Sequence, residues 1–183
     1  MAKFAPDSVI VAVGSSPFIP EIPGIAGKNV LTYQDVLSGQ KKPGQKVIVL
    51  GGGYVGCETC FYLAKKGIEV TLVFRSAQAA HDIKYWVVRR HYLDKLKEMN
   101  IKVMAEIQYR DITAAGLNLT DKTGAAVFVA ADNIILAAGA TPNKALGEAL
   151  KGKYLEFAQI GDCVEPRRIR EAVEEGIWAA AAI

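Results

Sequence analysis

Apolar residues in this chain follow two rhythms. Short, mainly apolar runs occur at residues 8–13, 46–50, 69–74, 101–105, 133–137 and 157–160. Such runs, bounded by turn residues, predict buried strands. Gly14, Gly51 and Gly161 each stop one of them. Between the runs the spacing widens to three and four. Residues 54–66 predict a helix closed by Gly67 in the position of a C-terminal cap. Tyr85, Val88, Tyr92, Leu96 and Met99 predict a second helix over 84–99, with an apolar stripe. Shorter helices are expected at 31–37 and 145–151, and a final one at 168–181. Pro17, Pro20 and Pro23 make 15–27 an extended connector, and Pro43-Gly44 marks a turn. Residues 111–129 alternate like β-hairpin material, with a turn near Asp121-Lys122-Thr123-Gly124.

In order, these elements give a βαβαβ unit with a β-meander inserted before its last strand. The predicted fold class is α/β: a Rossmann-like three-layer domain built on a parallel sheet. Both ends look foreign to it. The first strand is cut off by the proline-rich connector, and the last strand and helix lie beyond the insertion. Three parts are therefore expected: 1–16 and 151–183 as partial strands and helix of a truncated neighbouring domain, and 17–150 as the Rossmann-like domain.

The passage from the run 46–50 into Gly51-Gly52-Gly53-Tyr54-Val55-Gly56 is the most informative stretch. Strand, glycine turn and helix follow in the order a dinucleotide site requires. Gly51 permits the tight turn, Gly53 lets a pyrophosphate approach the backbone, and Gly56 lets the helix lie close on the strand. The amides of the first helical turn face the phosphate charge. The alternative is a bare structural βα turn.

Composition narrows the partners. A net charge of +3, with acidic and basic residues interspersed, supports neither nucleic-acid nor membrane binding. Arg167, Arg168 and Arg170 are surrounded by Glu165, Glu171, Glu174 and Glu175. No apolar run reaches the roughly 20 residues needed to span a bilayer, and the N-terminus has no signal-peptide pattern. Three cysteines form no paired framework, so a cytoplasmic location is expected. Cys57 and Cys60 make a C-x-x-C, for which helix packing is the expected role and dithiol chemistry the alternative. No zinc spacing occurs, and no metal site is expected.

Four signatures coincide with those of the two-dinucleotide-binding flavoproteins, the pyridine nucleotide-disulfide oxidoreductase family. Val11-Ala-Val-Gly14-Ser-Ser-Pro17 with Ile22-Pro23-Gly24 is similar to the crossover from the FAD domain. Gly51 to Glu58 is similar to G-G-G-Y-I-G-x-E. Ala137-Ala138-Gly139-Ala140-Thr141-Pro142-Asn143 is similar to A-T-G-x-x-P-N, and Ile160-Gly161-Asp162 to the I-G-D motif. The segment from Ile160 through Glu165-Pro-Arg-Arg168 to Gly176 resembles the NADH:flavin oxidoreductase/2,4-dienoyl-CoA reductase/2-enoate reductase branch. In that branch electrons pass from nicotinamide to FAD, then through an iron–sulfur cluster to FMN.

The resemblance implies a nicotinamide coenzyme on Gly51, Gly52, Gly53, Tyr54, Val55, Gly56 and Gly139. Tyr54 would cover the nicotinamide, and Glu58, expected in the first helical turn, would lie near it. Gly14 and Asp162 would belong to FAD in a longer parent. FMN and the cluster would lie outside this chain, as would the FAD and flavin-barrel domains that are its expected partners. At the end of the second strand, NAD-binding proteins carry an acid for the ribose 2′-hydroxyl. Phe74-Arg75-Ser76 stands there instead, which predicts NADP(H) over NAD(H). Arg89, Arg90 and His91 are expected on a solvated face, and His81 has no assigned role. No side chain supplies a hydride acceptor, so no catalytic residue is expected in this chain. The expected function is to hold nicotinamide for transfer to FAD in a parent reductase. Alternatives are a disulfide- or ferredoxin-reductase module, and a non-catalytic nucleotide or redox-sensing module.

Overall fold

A computed structural model describes residues 6–183. Along the chain the elements are β1 (Ser8–Val11), β2 (Ser15–Pro17), β3 (Val30–Thr32), α1 (Tyr33–Leu37), β4 (Lys46–Leu50), α2 (Tyr54–Ala64), β5 (Glu69–Val73) and α3 (Trp86–Glu98). There follow β6 (Lys102–Met104), β7 (Gln108–Thr113), β8 (Gly116–Thr120), β9 (Ala126–Ala130), β10 (Asn133–Leu136), β11 (Ala140–Pro142), α4 (Ala145–Leu150), β12 (Glu156–Gln159) and α5 (Ile169–Ala181). They fall into two compact units: Pro17–Gly139, and the chain up to Ser16 together with Ala140–Ile183.

The larger unit is an α/β fold. Its five strands run in the order β3-β10-β4-β5-β6, all parallel. Side chains on successive strand residues point to opposite faces, which sorts each apolar run into two cores. Val47 and Val49 of β4 join Leu72 and Ile135 beneath the helices, with Cys57, Cys60, Leu63 and Leu96. Ile48 and Leu50 join Val73, Ile134 and Leu136 on the other face, against Ile112, Leu117, Leu119 and Val129. That second cover is the antiparallel meander β7-β8-β9, inserted in sequence between β6 and β10. A sheet covered on both faces explains why its strands read as continuous apolar runs rather than alternating ones.

Two expectations change in detail. Residues 31–37 are not all helix: Leu31 pairs with Ile135 as part of β3, and Thr32 then caps α1. Thr32 Oγ1 accepts from the Asp35 amide at 3.1 Å, and the Asp35 carboxylate accepts from the Thr32 amide at 2.9 Å, a reciprocal capping box. The stripe expected over 84–99 is also thinner than its spacing implied. The helix starts at Trp86, and Tyr85 and Val88 are exposed. Leu96 alone of the stripe is fully buried, with Tyr92 and Met99 packed partly against it. At the end of α2, Gly67 takes a φ of +77° and donates to the Ala64 carbonyl at 3.0 Å, as its capping position requires.

In the smaller unit β1 pairs in parallel with β12, and β2 pairs with β11. Its buried core is Val9, Val11 and Cys163. Asn143 stitches the ends of its strands. Its amide N–H donates to the Gly14 carbonyl at 3.1 Å, its Nδ2 to the Val13 carbonyl at 3.1 Å, and its Oδ1 accepts from Ser16 at 2.9 Å.

Candidate functional site

The glycine turn between β4 and α2 is packed tightly against neighbouring backbone. Gly51 has a φ of +122°, and a Cβ on it would fall 2.2 Å from the Ala137 carbonyl oxygen. A Cβ on Gly52 would enter the Phe74 ring, and one on Gly56 would lie 1.8 Å from the Gly51 carbonyl oxygen. The turn therefore needs glycine at Gly51 and Gly56 for contacts with protein backbone. Phe74 is buried beneath it and closes the end of β5 as a core residue.

Gly53 caps α2 without a side chain of its own, and the cap comes from elsewhere. The Tyr54 amide donates to both carboxylate oxygens of Asp82, at 2.9 and 3.1 Å. A negative group at a helix N-terminus is favoured by the exposed amides and the helix dipole. The same segment donates from the Ala80 amide to the Gly52 carbonyl at 2.6 Å. Sequence reasoning missed Asp82. Its only sequence signal is an acid within a small-residue loop that follows β5.

Tyr54 is half-buried, and its ring lies 5.1 Å from that of Tyr92. The Tyr92 hydroxyl donates to Glu58 Oε1 at 2.9 Å. Burial, and then hydrogen bonds with Tyr54 and Glu58, push the Tyr92 phenol well above its ordinary value. Glu58 is the fifth residue of α2, so it lies past the first turn and its partner is a phenol rather than the helix dipole. Val55, in the first turn of α2, is exposed. Cys57 and Cys60 are fully buried and unpaired. Burial pushes Cys57 up to about 11 and Cys60 well above its ordinary value, which disfavours the reactive thiolate.

At the end of β5, Arg75 is exposed and Ser76 half-buried. Ser76 Oγ lies 3.3 Å from His81 Nδ1 and donates to the Gln78 carbonyl at 3.2 Å. Arg89 does not lie on a solvated face. It is half-buried, its Nη2 donates to Gln78 Oε1, and its buried Nε has no hydrogen-bond partner. Arg90 pairs with Asp94 across one helical turn, and His91 is exposed, as expected of a solvated face. Gly139, with a φ of +122°, accepts from the Phe18 amide at 3.0 Å.

Gly14 and Asp162 lie in the smaller unit, where they line a cavity of about 310 Å³ with Ile160, Gly161 and Arg167. Asp162 accepts from the Arg167 amide at 3.1 Å and from Ser15 at 3.3 Å. Gly14 and Gly161 both take left-handed φ values, +68° and +70°, leaving the backbone there without side-chain cover. Among the described residues no cluster of His, Cys, Asp and Glu could hold a metal. Nor is any helix there long and apolar enough to cross a membrane.

A parallel sheet with helices on one face, and a glycine turn opening a helix at a strand's end, define a Rossmann-like α/β protein. The chain belongs to the pyridine nucleotide-disulphide oxidoreductase family, which matches residues 2–181. It is 35% identical to the NADH oxidase of Thermoanaerobacter brockii, over 98% of this chain and 28% of that protein. It is 31% identical to the cinnamate reductase of Clostridium sporogenes, over 97% of this chain and 26% of that protein. A solved 2-naphthoyl-CoA reductase superposes with a TM-score of 0.93 at 30% identity, over 98% of this chain and 27% of that one. The chain thus spans under a third of the length of these relatives. Family membership supports NAD(P)/FAD-type cofactors and nicotinamide-dinucleotide binding.

Proposed function

We propose that this chain is the nicotinamide-coenzyme part of a longer flavin-dependent reductase in the enoate and dienoyl-CoA reductase branch. The reading assigns the larger unit to the coenzyme and the smaller unit to FAD. Its main support is the turn at Gly51–Gly56, where Gly51, Gly52 and Gly56 leave no room for a Cβ and the first amide of α2 already holds an anion. A phosphate needs the same donors. The reductase names of two relatives and the segment from Ile160 to Gly176 support the branch.

In this reading Gly51, Gly52, Gly53 and Gly56 carry the pyrophosphate, with Val55 beside them. Tyr54 covers the nicotinamide, held in place by its ring contact with Tyr92. Tyr92 also fixes Glu58 on that side. Gly139 shapes the turn opposite Gly51. Gly14 and Asp162, on the cavity of the smaller unit, face the flavin nucleotide. The flavin, when bound, supplies the hydride acceptor that no side chain offers. The protein's share is to orient the coenzyme and keep water away. The buried, weakly acidic Cys57 and Cys60 give no support to a dithiol role for this chain.

The coenzyme is NADP(H) rather than NAD(H). Buried Phe74 follows the last residue of β5, so no carboxylate at that position repels a 2′-phosphate. No hydrogen bond among the described residues ties the exposed Arg75 guanidinium, which is therefore available to pair with one. Calorimetric titration of the chain with both reduced coenzymes tests this. NADPH is expected to bind more tightly. Arg75→Ala is expected to cost NADPH about 1.5–3 kcal/mol, the worth of a charged hydrogen bond, and to leave NADH unchanged. Tighter NADH binding by the wild-type chain would overturn the assignment.

A further inference from the structure

We propose that Asp82 is a built-in competitor for the coenzyme's pyrophosphate, carried on a strap, residues 75–85, that must lift for the coenzyme to bind. The inference rests on the reading that the glycine turn is the pyrophosphate seat, and adds a regulatory contact to it.

The Asp82 carboxylate lies where a phosphate would come to rest. Both of its oxygens accept from the Tyr54 amide, the first of α2. They also cover Gly53: a Cβ added there would come within 3.2 Å of Asp82 Oδ2. One helix terminus offers one converging set of amides, and a carboxylate and a diphosphate are both attracted to it. Placed side by side there they repel. The two anions therefore exclude each other at the Tyr54 amide.

The strap is anchored by contacts that can be exchanged. The Ala80 amide donates to the Gly52 carbonyl, inside the glycine turn itself. Ala80 takes a φ of +53°, a left-handed conformation that disfavours a residue with a Cβ. Ala79, Ala80 and Ile83 are buried at the edge of the helix-side core, while Gln78, His81 and Asp82 are exposed. No strand pairing holds the segment. Its further ties include Ser76 with His81, Arg89 with Gln78, and, at its start, the Glu106 amide donating to the Ser76 carbonyl at 3.2 Å. A segment with few buried side chains and a strained centre belongs to the low-stability end of a fold.

A purely structural role is the other account. Gly53 lacks a capping side chain, and Asp82 would serve in its place. The two accounts differ in how the coenzyme responds. Titration of the full chain with NADPH compares wild type with Asp82→Asn, which keeps the shape and removes the charge. The competitor predicts affinity about tenfold higher in the variant, because the neutral amide no longer repels the diphosphate. Hydrogen exchange gives a second readout, on the wild-type chain alone, that holds even if the variant fails to fold. Saturating NADPH is expected to speed exchange across residues 77–84, the Ala80 amide above all.

Unchanged or weaker binding by Asp82→Asn, or a strap that gains protection with NADPH, would overturn the proposal while leaving the coenzyme reading intact. If neither wild type nor variant binds NADPH or NADH, the coenzyme reading falls and the strap proposal falls with it.

Discussion

The two units of this chain are built from the same kinds of elements and reach different degrees of completeness. In the larger unit a parallel sheet is covered on both faces, and its central strands contribute side chains to two separate cores. In the smaller unit the buried core among the described residues is Val9, Val11 and Cys163. Its longest helix, α5, has no buried residue and exposes Ile169, Val173, Ile177 and Trp178. What holds α5 is largely polar: Arg167 pairs with Glu175, which also accepts from the Gly161 amide at 2.6 Å. One unit resembles a finished domain, and the other keeps an apolar face that its described residues do not cover.

Glycine substitutions sharpen the contrast most. Gly56→Val is expected to destabilise the chain by more than about 4 kcal/mol, the range reserved for severe clashes. Its Cβ would meet the Gly51 carbonyl oxygen at 1.8 Å, and backbone cannot yield as a side chain can. Gly176→Ala, in α5, meets nothing within 4 Å. It is expected to stabilise by about 0.5–1 kcal/mol, the helix preference of alanine over glycine. Urea denaturation of both variants checks the pair. Comparable destabilisation by each would erase the distinction between the units.

Core truncations probe the same difference at smaller size. Leu72→Ala removes a fully buried side chain from the middle of the sheet and is expected to cost about 2–5 kcal/mol. Val11→Ala removes less apolar volume from a core with few neighbours, and about 1–2 kcal/mol is expected. A larger loss at Val11 than at Leu72, read from the same denaturation curves, would mean that the smaller core carries more of the stability than its size suggests.

Sequence patterning reached the fold and part of the site, and the reasons are specific. The runs at 46–50, 69–74 and 133–137 were legible because a doubly covered sheet needs unbroken apolar strands, which became β4, β5 and β10. The glycine turn was legible because backbone approaching backbone at Gly51 and Gly56 admits no other residue. Short elements were not. β3 has three residues, and nothing in Val30-Leu31-Thr32 separates a strand from the first turn of a helix. The exposure of Tyr85 and Val88 was hidden as well, because helical spacing reports a face but not whether anything covers it. Asp82 and Arg89 escaped for another reason. Their partners, Tyr54 and Gln78, are 28 and 11 residues away, and only the folded loop brings them together.

Acid offers the gentlest way to separate the units. Glu175 is held below its ordinary value of 4.5, first by the Arg167 guanidinium and then by the Gly161 amide. Glu171 is also lowered, first by backbone amides at the start of α5. A carboxylate depressed in the folded state contributes stability that is complete above its unfolded value and is lost as pH falls through the folded one. The ties of α5 should therefore hold from neutrality down to about pH 4.5 and loosen below it. In the larger unit the depressed carboxylates are Asp35 and Asp121, which fix a single short helix and a single hairpin turn. Its two cores hold no carboxylate, so their packing is indifferent to that change. Amide resonances followed by NMR from pH 7 to pH 3 are expected to shift at Gly161 and along α5 while those of β4 and β5 stay in place. Glu175→Gln should abolish the shift at Gly161. If β4 and β5 move at the same pH as α5, the chain titrates as one cooperative body and the contrast between the units has no energetic meaning.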